Sequence, residues 1–264
     1  MQKTWEVDMA ISNPYYRNNK EKEELIKKRD SFTFDEVEKL PKLVILIAGR
    51  EGVGKTHLAC TMSELGPVYL IDTEYRAQIV TRKFSNVKFA VTKSYKDMVI
   101  AVKHILHSHP PGTIILDSGS DLQTFSEIEY LERSEKEKVG MPWNWAEVWR
   151  LCNAVIDDIK FSQQFHLVIT SRLKEEYNGD KPTGKQIPRI YSTLPYKSDI
   201  VLQFTESRDR TCNIIKNGFT GESSTSLTAN KSLPQIIREL SSSDYSTAPQ
   251  LINRIAQTTK PYNN

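Results

Sequence analysis

Cysteine is scarce in this chain: Cys60, Cys152 and Cys212 stand far apart among 264 residues. Isolated and odd in number, they exclude a disulfide framework and fit no zinc-ligand spacing, which suits reduced thiols in a cytosolic protein. Long apolar runs are missing too. No stretch approaches the roughly 20 residues of a membrane span, and Met1 to Asp8 hold no signal-peptide apolar region. Neither sign of charge dominates: the formal net charge is +3, weak support for a polyanionic partner. No internal repeat is visible. The expectation is an intracellular, cytoplasmic protein that does not use a membrane. With 38% hydrophobic and 26% charged residues, 264 positions suffice for one large α/β domain with small extensions.

Against this plain background one segment carries chemistry. The run Leu43–Ala48 is apolar and rich in β-branched residues, and it ends at Gly49. Gly49-Arg50-Glu51-Gly52-Val53-Gly54-Lys55-Thr56 then fits G-x-x-x-x-G-K-[ST], and a helix-compatible run starting with His57 follows. Strand, loop and helix in that order are the context a phosphate-binding loop needs. The glycines let successive N–H groups point at a phosphate, and the helix N-terminus adds positive potential. Lys55 would reach the β- and γ-phosphates, and the Thr56 hydroxyl would bind Mg²⁺. The plain alternative is a glycine-rich turn. The residues from Gly49 to His57 are therefore the candidates for binding ATP.

The pattern around this loop sets the fold class. Residues 1–41 are polar and mixed in charge, with a helix expected at Lys20–Arg29 and a short edge strand at Phe32–Asp35. From residue 42 strands and helices alternate, which argues for a mostly parallel sheet flanked by helices. Strands are expected at Leu43–Ala48, Val68–Asp72, Val87–Val91, Thr113–Asp117, His166–Ser171 and Asp199–Phe204. A last strand, Arg210–Lys216, would pair with the sixth as an antiparallel hairpin turning at Glu206–Asp209. Helices are expected at Lys55–Leu65, Ser94–His107, part of Leu122–Lys138, and Trp145–Ser162. The domain reading is an N-terminal extension (1–41), an ATPase core (42–218) and a Ser/Thr-rich extension (219–264) with helices at Pro234–Leu240 and Pro249–Ile255.

Two acidic strand ends extend the phosphate site. Thr113-Ile114-Ile115-Leu116-Asp117 is an apolar strand closing on a carboxylate that would orient the hydration shell of Mg²⁺ at the sheet edge. Its alternative is a turn aspartate. Val68–Asp72 leads into Thr73-Glu74, and a glutamate at that edge can accept a proton from attacking water. An N-cap role for Asp72 and a solvated Glu74 are the structural alternatives.

The series GREGVGKT, YLIDTEYRA, TIILDSGSDL, HLVITSR and STLPYKSDIVLQF resembles the core motifs of RecA-type ATPases, from about Leu43 to Lys216. It is most similar to the compact RecA-like NTPases of bacteriophages and archaeal viruses, which are linked to single-strand annealing and recombination. The resemblance implies a RecA-like P-loop core and makes Glu74 the catalytic glutamate. It makes Asp117 the Walker B aspartate, followed by Ser118 as in RecA, and gives the strand ending at Ser171 the γ-phosphate sensor. Two departures stand out. RecA has Asn-Gln where this chain has Thr170-Ser171 followed by Arg172. At the two positions that reach a neighbour's ATP this chain has Lys216 and Gly218, so Lys216 is a lone candidate trans-acting cation, or a surface lysine. The resemblance also implies a homo-oligomer, ring or filament, and host cytoplasm for a viral member.

RecA-like proteins touch DNA with two loops, and long loops are expected here in both places. The first, Glu132–Trp145, ends in Met141-Pro142-Trp143-Asn144-Trp145. There Trp145 and Trp149 suit a packed helix face, and Trp143 stays open. The second, Leu173 to Pro195, combines Lys174, Lys181, Lys185 and Arg189 with Tyr177 and Tyr191. A mobile basic loop with aromatics suits single-stranded DNA, although Glu175, Glu176 and Asp180 dilute its charge and an ordinary solvated loop is the alternative. His104, His107 and His109 lack a completing carboxylate or thiol and read as structural, favoured at a helix C-terminus by the macrodipole. The leading functional reading is an ATPase working as an oligomer on single-stranded DNA. A packaging or replication motor, a small-molecule kinase and a weakly hydrolysing nucleotide-dependent scaffold are the alternatives.

Overall fold

Val44–Ala48 form strand β1, and all five residues are buried. A strand covered on both faces needs side chains that are apolar at every position, which is how a central parallel strand differs from a half-exposed one. The computed structural model describes residues 42–136, 138–205, 211–221, 226–228 and 231–242. The expected features at Lys20–Arg29, Phe32–Asp35, Glu206–Asp209 and Pro249–Ile255 lie outside the described residues.

Beyond β1 the strands are β2 (Val68–Asp72), β3 (Val87–Val91), β4 (Gly112–Asp117), β5 (Phe165–Ser171), β6 (Leu173–Asn178), β7 (Lys181–Pro188), β8 (Ile200–Phe204), β9 (Thr211–Asn217) and β10 (Ser226–Thr228). The main sheet runs β10-β9-β8-β1-β5-β4-β2-β3. Its members from β8 to β3 pair in parallel, β9 adds antiparallel to β8, and β10 adds antiparallel to β9. The parallel α/β sheet and its C-terminal antiparallel hairpin follow the expectation from the sequence.

Helices cover both faces. On one side α3 (Tyr95–Ser108), α4 (Gly119–Ser134) and α5 (Pro142–Phe161) meet Val44 and Leu46 of β1 in one core. On the other, Ile45 and Ile47 meet α1 (Lys55–Cys60), which continues as a 3-10 turn over Thr61–Glu64. The alternation along β1 is the period-two geometry of a strand. Two short helices, α2 (Ala77–Thr81) and α6 (Leu194–Lys197), fill crossovers. The last helix, α7 (Leu233–Ser242), falls in the segment expected as an extension, yet Leu233, Ile236, Ile237 and Leu240 are buried in the same core as α1. The Leu233 amide also donates to the Thr61 hydroxyl at 2.8 Å. Among the described residues no helix is long and apolar enough to cross a membrane. Burial pushes the free thiols of Cys60, Cys152 and Cys212 up to about 12, 11 and 12, so none is a nucleophile at neutral pH.

His166 in β5 gives this core a pH dependence. The Leu43 amide donates to its Nδ1 at 3.1 Å, which puts the ring proton on Nε2, a buried atom with no partner. Burial first, and the Lys42 charge second, push the imidazole down to about 3. The unfolded chain therefore takes up this proton near pH 6.5, and the folded chain does so only near pH 3. Stability is full above the unfolded value and falls as pH drops through that window, by about 1.4 kcal/mol per pH unit. Urea unfolding from pH 4 to 7 is expected to show this slope in the wild type and a flatter one in His166→Gln. Equal slopes would assign the acid loss elsewhere.

Candidate active site

The loop after β1 is shaped by its glycines. Gly52 and Gly54 have φ of 75° and 103°, left-handed backbone that other residues enter at a cost, with no atom within 4 Å where a side chain would begin. Gly49 is needed for the opposite reason: a Cβ there would lie 2.9 Å from Phe204 and Val53. Lys55 opens α1 and reaches back, its ammonium donating to the carbonyls of Gly49 at 2.9 Å and Arg50 at 2.8 Å. The cation is thereby tied across the mouth of the loop. His57 tilts its ring against Phe84 at 5.2 Å.

The order β1-β5-β4-β2 places four strand ends side by side along one sheet edge. At about 4.8 Å per strand, the row from the P-loop to the end of β2 spans roughly 14 Å. Asp117 ends β4 in the middle of it. The Thr56 hydroxyl donates to its Oδ2 at 2.7 Å, and the Thr170 hydroxyl donates to its Oδ1. Burial raises the Asp117 pKa above the usual carboxylate range, and these two hydroxyl bonds oppose the rise. The Asp117–Ser118 peptide is cis.

Asp72, at the end of β2, accepts from the Glu74 amide and the Ala77 amide, both at 2.9 Å. It shapes the turn into α2, whose N-cap position is Arg76 rather than Asp72. Tyr75 completes that turn in left-handed backbone at φ 62°, strain of the kind found where a side chain must be aimed. Glu74 thus projects over the row, partly exposed, and meets Arg172: Nη2 donates to Oε1 at 2.7 Å and Nε at 3.2 Å. Hydrogen bonding to Glu74 is the main cause that raises the guanidinium pKa. Lys55, Thr56, Glu74, Asp117 and Arg172 line one cavity of about 290 Å³. A second cavity of about 320 Å³ opens across the P-loop, sharing Gly54 and His57 and bounded by Val53, Thr61, Phe204 and Gln235.

The residues present fit a nucleotide phosphate and a divalent cation. The glycine cradle is open on the side where a Cβ would stand, Lys55 is fixed beside it, and Thr56 already touches Asp117. A bound Mg²⁺ would supply charge neutralisation for the phosphates, held by Thr56 with Asp117 behind it.

Other expected residues lie elsewhere. Ser171 is fully buried and donates to the Arg172 carbonyl at 2.8 Å; its neighbour Thr170 reaches Asp117, and Arg172 lines the cavity. Lys216 donates to the carbonyls of Tyr196 at 2.8 Å and Ser198 at 2.6 Å and so caps α6 within its own chain. The segment read as a mobile loop from Leu173 is a two-stranded antiparallel hairpin, β6–β7, turning at Gly179. Lys174, Tyr177, Lys181, Lys185 and Arg189 are exposed on it. The first long loop shrinks to 135–141, because Pro142 starts α5 and puts Trp143 in its first turn, 66% exposed. Trp145 and Trp149 pack on the core. His109 packs tilted against Tyr69 and edge-on against His104, and among the described residues no group of His, Cys, Asp and Glu has the makings of a metal site.

Arg172 was the residue missed. Its signal was a cation placed directly at a strand end, one residue beyond the sensor position.

No curated protein matches the sequence. Among solved structures the fold is similar to a prototypical ATPase from the type III secretion system of pathogenic bacteria, at 12% identity and a TM-score of 0.42. That match covers 63% of this chain, which spans about half of the other, 53%. Residues 41–233 match the AAA domain, and with most of its length covered the chain belongs to the AAA domain family of P-loop ATPases.

Proposed function

We propose that this protein hydrolyses ATP with Glu74 as the base that activates water, and that it does so in RecA-like fashion on single-stranded DNA. The observation that carries the reading is the single row holding Lys55, Thr56, Asp117 and Glu74 over one cavity. Glu74 takes a proton as water attacks the γ-phosphorus, the bond to the β–γ bridging oxygen breaks, and Lys55 balances charge on the departing diphosphate. The base and ribose take the second cavity, against Val53, Thr61 and Phe204.

The nucleic-acid part rests on the hairpin. Of its exposed lysines Lys174 lines a groove of about 740 Å³, together with Glu176, Trp145, Trp149, Tyr191 and Tyr196. Tyr196 is 83% exposed there. Aromatic faces beside cations suit unstacked bases, at about 1–3 kcal/mol per stacked base. The RecA-like reading includes a homo-oligomer. Lys216 joins a neighbour's site in this reading only by leaving the carbonyls it now caps.

Steady-state ATP turnover with single-stranded, duplex and no DNA tests the proposal, with Lys55→Ala as the null for nucleotide binding. Stimulation by single strands alone is the expected result, with the mass rising when an ATP analogue is present. Stimulation by duplex alone would favour a motor. Turnover that needs an added phosphate acceptor would make the protein a kinase.

A further inference from the structure

Positive charge in this chain is gathered in one stretch. Residues 82–109 hold Arg82, Lys83, Lys88, Lys93, Lys96 and Lys103 against Asp97 alone, a net +5 in a chain whose total is +3. They form the turn after α2, the edge strand β3 and the helix α3. Near the start of α3 the charge is neutralised. Lys96 pairs with Glu129 at 3.6 Å and Glu132 at 4.0 Å, and Asp97 accepts from the Lys93 amide.

At the other end of α3 it is not. Arg82, Lys83, Lys88 and Lys103 are exposed, and among the described residues none of them is in an ion pair. His104 and His107 are exposed on α3 beside Lys103, and His109 follows the helix. Lys88 stands opposite Tyr69 in the β2–β3 register, and the His109 ring lies 4.9 Å from that of Tyr69, so strand and helix contribute to one surface. Burial first, then the charges of Lys88 and His104, push the His109 imidazole below its ordinary value. The Asn86 carbonyl accepts from the Val68 amide at 2.9 Å, which fixes the 82–86 turn at the start of β2. Five residues of β2 separate that end from Asp72, about 16 Å at the rise of a strand. The surface lies away from the phosphate row.

Unpaired lysines beside histidines attract an anion. Their spread over a turn, a strand and a 14-residue helix suits an extended one. At 1.5 Å per residue α3 is about 21 Å long, the length of about six base pairs. A membrane would need an apolar face to insert, and Ile100 is the one apolar residue among the exposed positions of α3. Unpaired bases would need aromatic faces, and Phe89, 41% exposed, turns with Leu70 to the opposite side of the sheet from Lys88. Duplex phosphates remain.

We propose that the β3–α3 edge is a nucleic-acid surface separate from the hairpin, holding the backbone of a duplex through Arg82, Lys83, Lys88 and Lys103. It needs neither nucleotide nor the β6–β7 hairpin, so it goes beyond the ATPase reading above and does not rest on it. Backbone contacts position a duplex without reading its sequence.

Fluorescence anisotropy with a labelled duplex, in the absence of nucleotide and over a salt series, tests this. Four phosphate contacts predict a slope of log affinity against log salt of about −3.5. The triple variant Lys83→Gln/Lys88→Gln/Lys103→Gln is expected to reduce the slope to about −1 and to leave ATP turnover unchanged. Its three side chains are exposed and unpaired, so its Tm should match the wild type. Two unrelated duplex sequences should bind within about twofold of each other. Lowering the pH from 8 to 6 should tighten binding, as rings set beside Lys88, Lys103 and Tyr69 take up protons near phosphate, and His104→Gln/His107→Gln should remove most of that effect. Lys181→Gln/Lys185→Gln, on the hairpin, should keep the duplex. A wild type that binds no duplex, or a triple variant with an unchanged salt slope, would overturn the proposal. So would loss of the duplex in the hairpin variant, which would put it on β6–β7. Tighter binding to phosphatidylserine vesicles than to duplex would make the edge a membrane surface instead. The hydrolysis reading fails separately, by wild-type turnover that survives Glu74→Gln.

Discussion

Glu74→Gln is expected to lower kcat by about 10²- to 10⁴-fold and to leave nucleotide affinity within about twofold. The substitution keeps size and shape and removes only the capacity to take a proton. The loop should not collapse, because its geometry depends on Asp72, which accepts from the backbone amides of Glu74 and Ala77. The amide oxygen can still accept from Arg172, so the end of β5 also keeps its partner. In the proposed mechanism phosphate binding belongs to Lys55 and the glycine loop, on the far side of the strand row. Single-turnover hydrolysis, paired with fluorescent-nucleotide titration, separates the two quantities. Wild-type hydrolysis by Glu74→Gln would remove Glu74 from the chemistry. A matching loss of affinity would make it a binding residue instead.

How much of this site was legible in the sequence depends on how each part is encoded. The P-loop and the buried strands are local patterns: apolar β-branched runs, then glycines where the backbone must turn left-handed. They could be placed to within a residue or two. Asp117 was legible because a carboxylate ending a fully apolar strand has few structural uses. Which of Thr170 and Ser171 faces Asp117 was not, because a strand's period of two sends the two to opposite faces. The register that pairs Leu116 with Ile169 decides which of them meets Asp117, and register is a non-local property. The β6–β7 hairpin was hidden for a different reason. Both of its faces are largely solvent-exposed, so it carries no hydrophobic alternation and reads as a polar loop. Its Gly179-Asp180 turn was the remaining hairpin signal. Pro142 likewise marked the start of α5, since proline is favoured in a first helical turn, and would have placed Trp143 on the helix. Arg172 and Glu74 are 98 positions apart in sequence, and their pairing depends on β5 and β2 flanking β4.

Asp117→Asn should separate stability from function in one substitution. Burial holds the Asp117 carboxyl above the usual carboxylate range, so the charged form is the costly one in the folded chain. For a group raised in this way the stabilising contribution is full at low pH, below the unfolded value, and is lost as pH rises through the folded one. In its ionised form the wild type carries a buried negative charge whose relief comes from the hydroxyls of Thr56 and Thr170. Asparagine fits the same space. Its oxygen accepts from one threonine and its amide donates to the other, since a hydroxyl can do either. The nucleotide-free variant is expected to gain about 1 kcal/mol, or about 2–4 °C in Tm for a domain of this size. With Mg²⁺ and an ATP analogue at about 100 times Kd the wild type gains about 2.7 kcal/mol, and the variant, lacking the charge behind Thr56, should gain almost none. The two unfolding curves thus exchange order when nucleotide is added, and the crossing is readable by thermal denaturation alone. A nucleotide-free Asp117→Asn that melts below the wild type would show that the two threonine bonds need the carboxylate for packing. A full nucleotide-induced shift in the variant would take Asp117 out of metal binding.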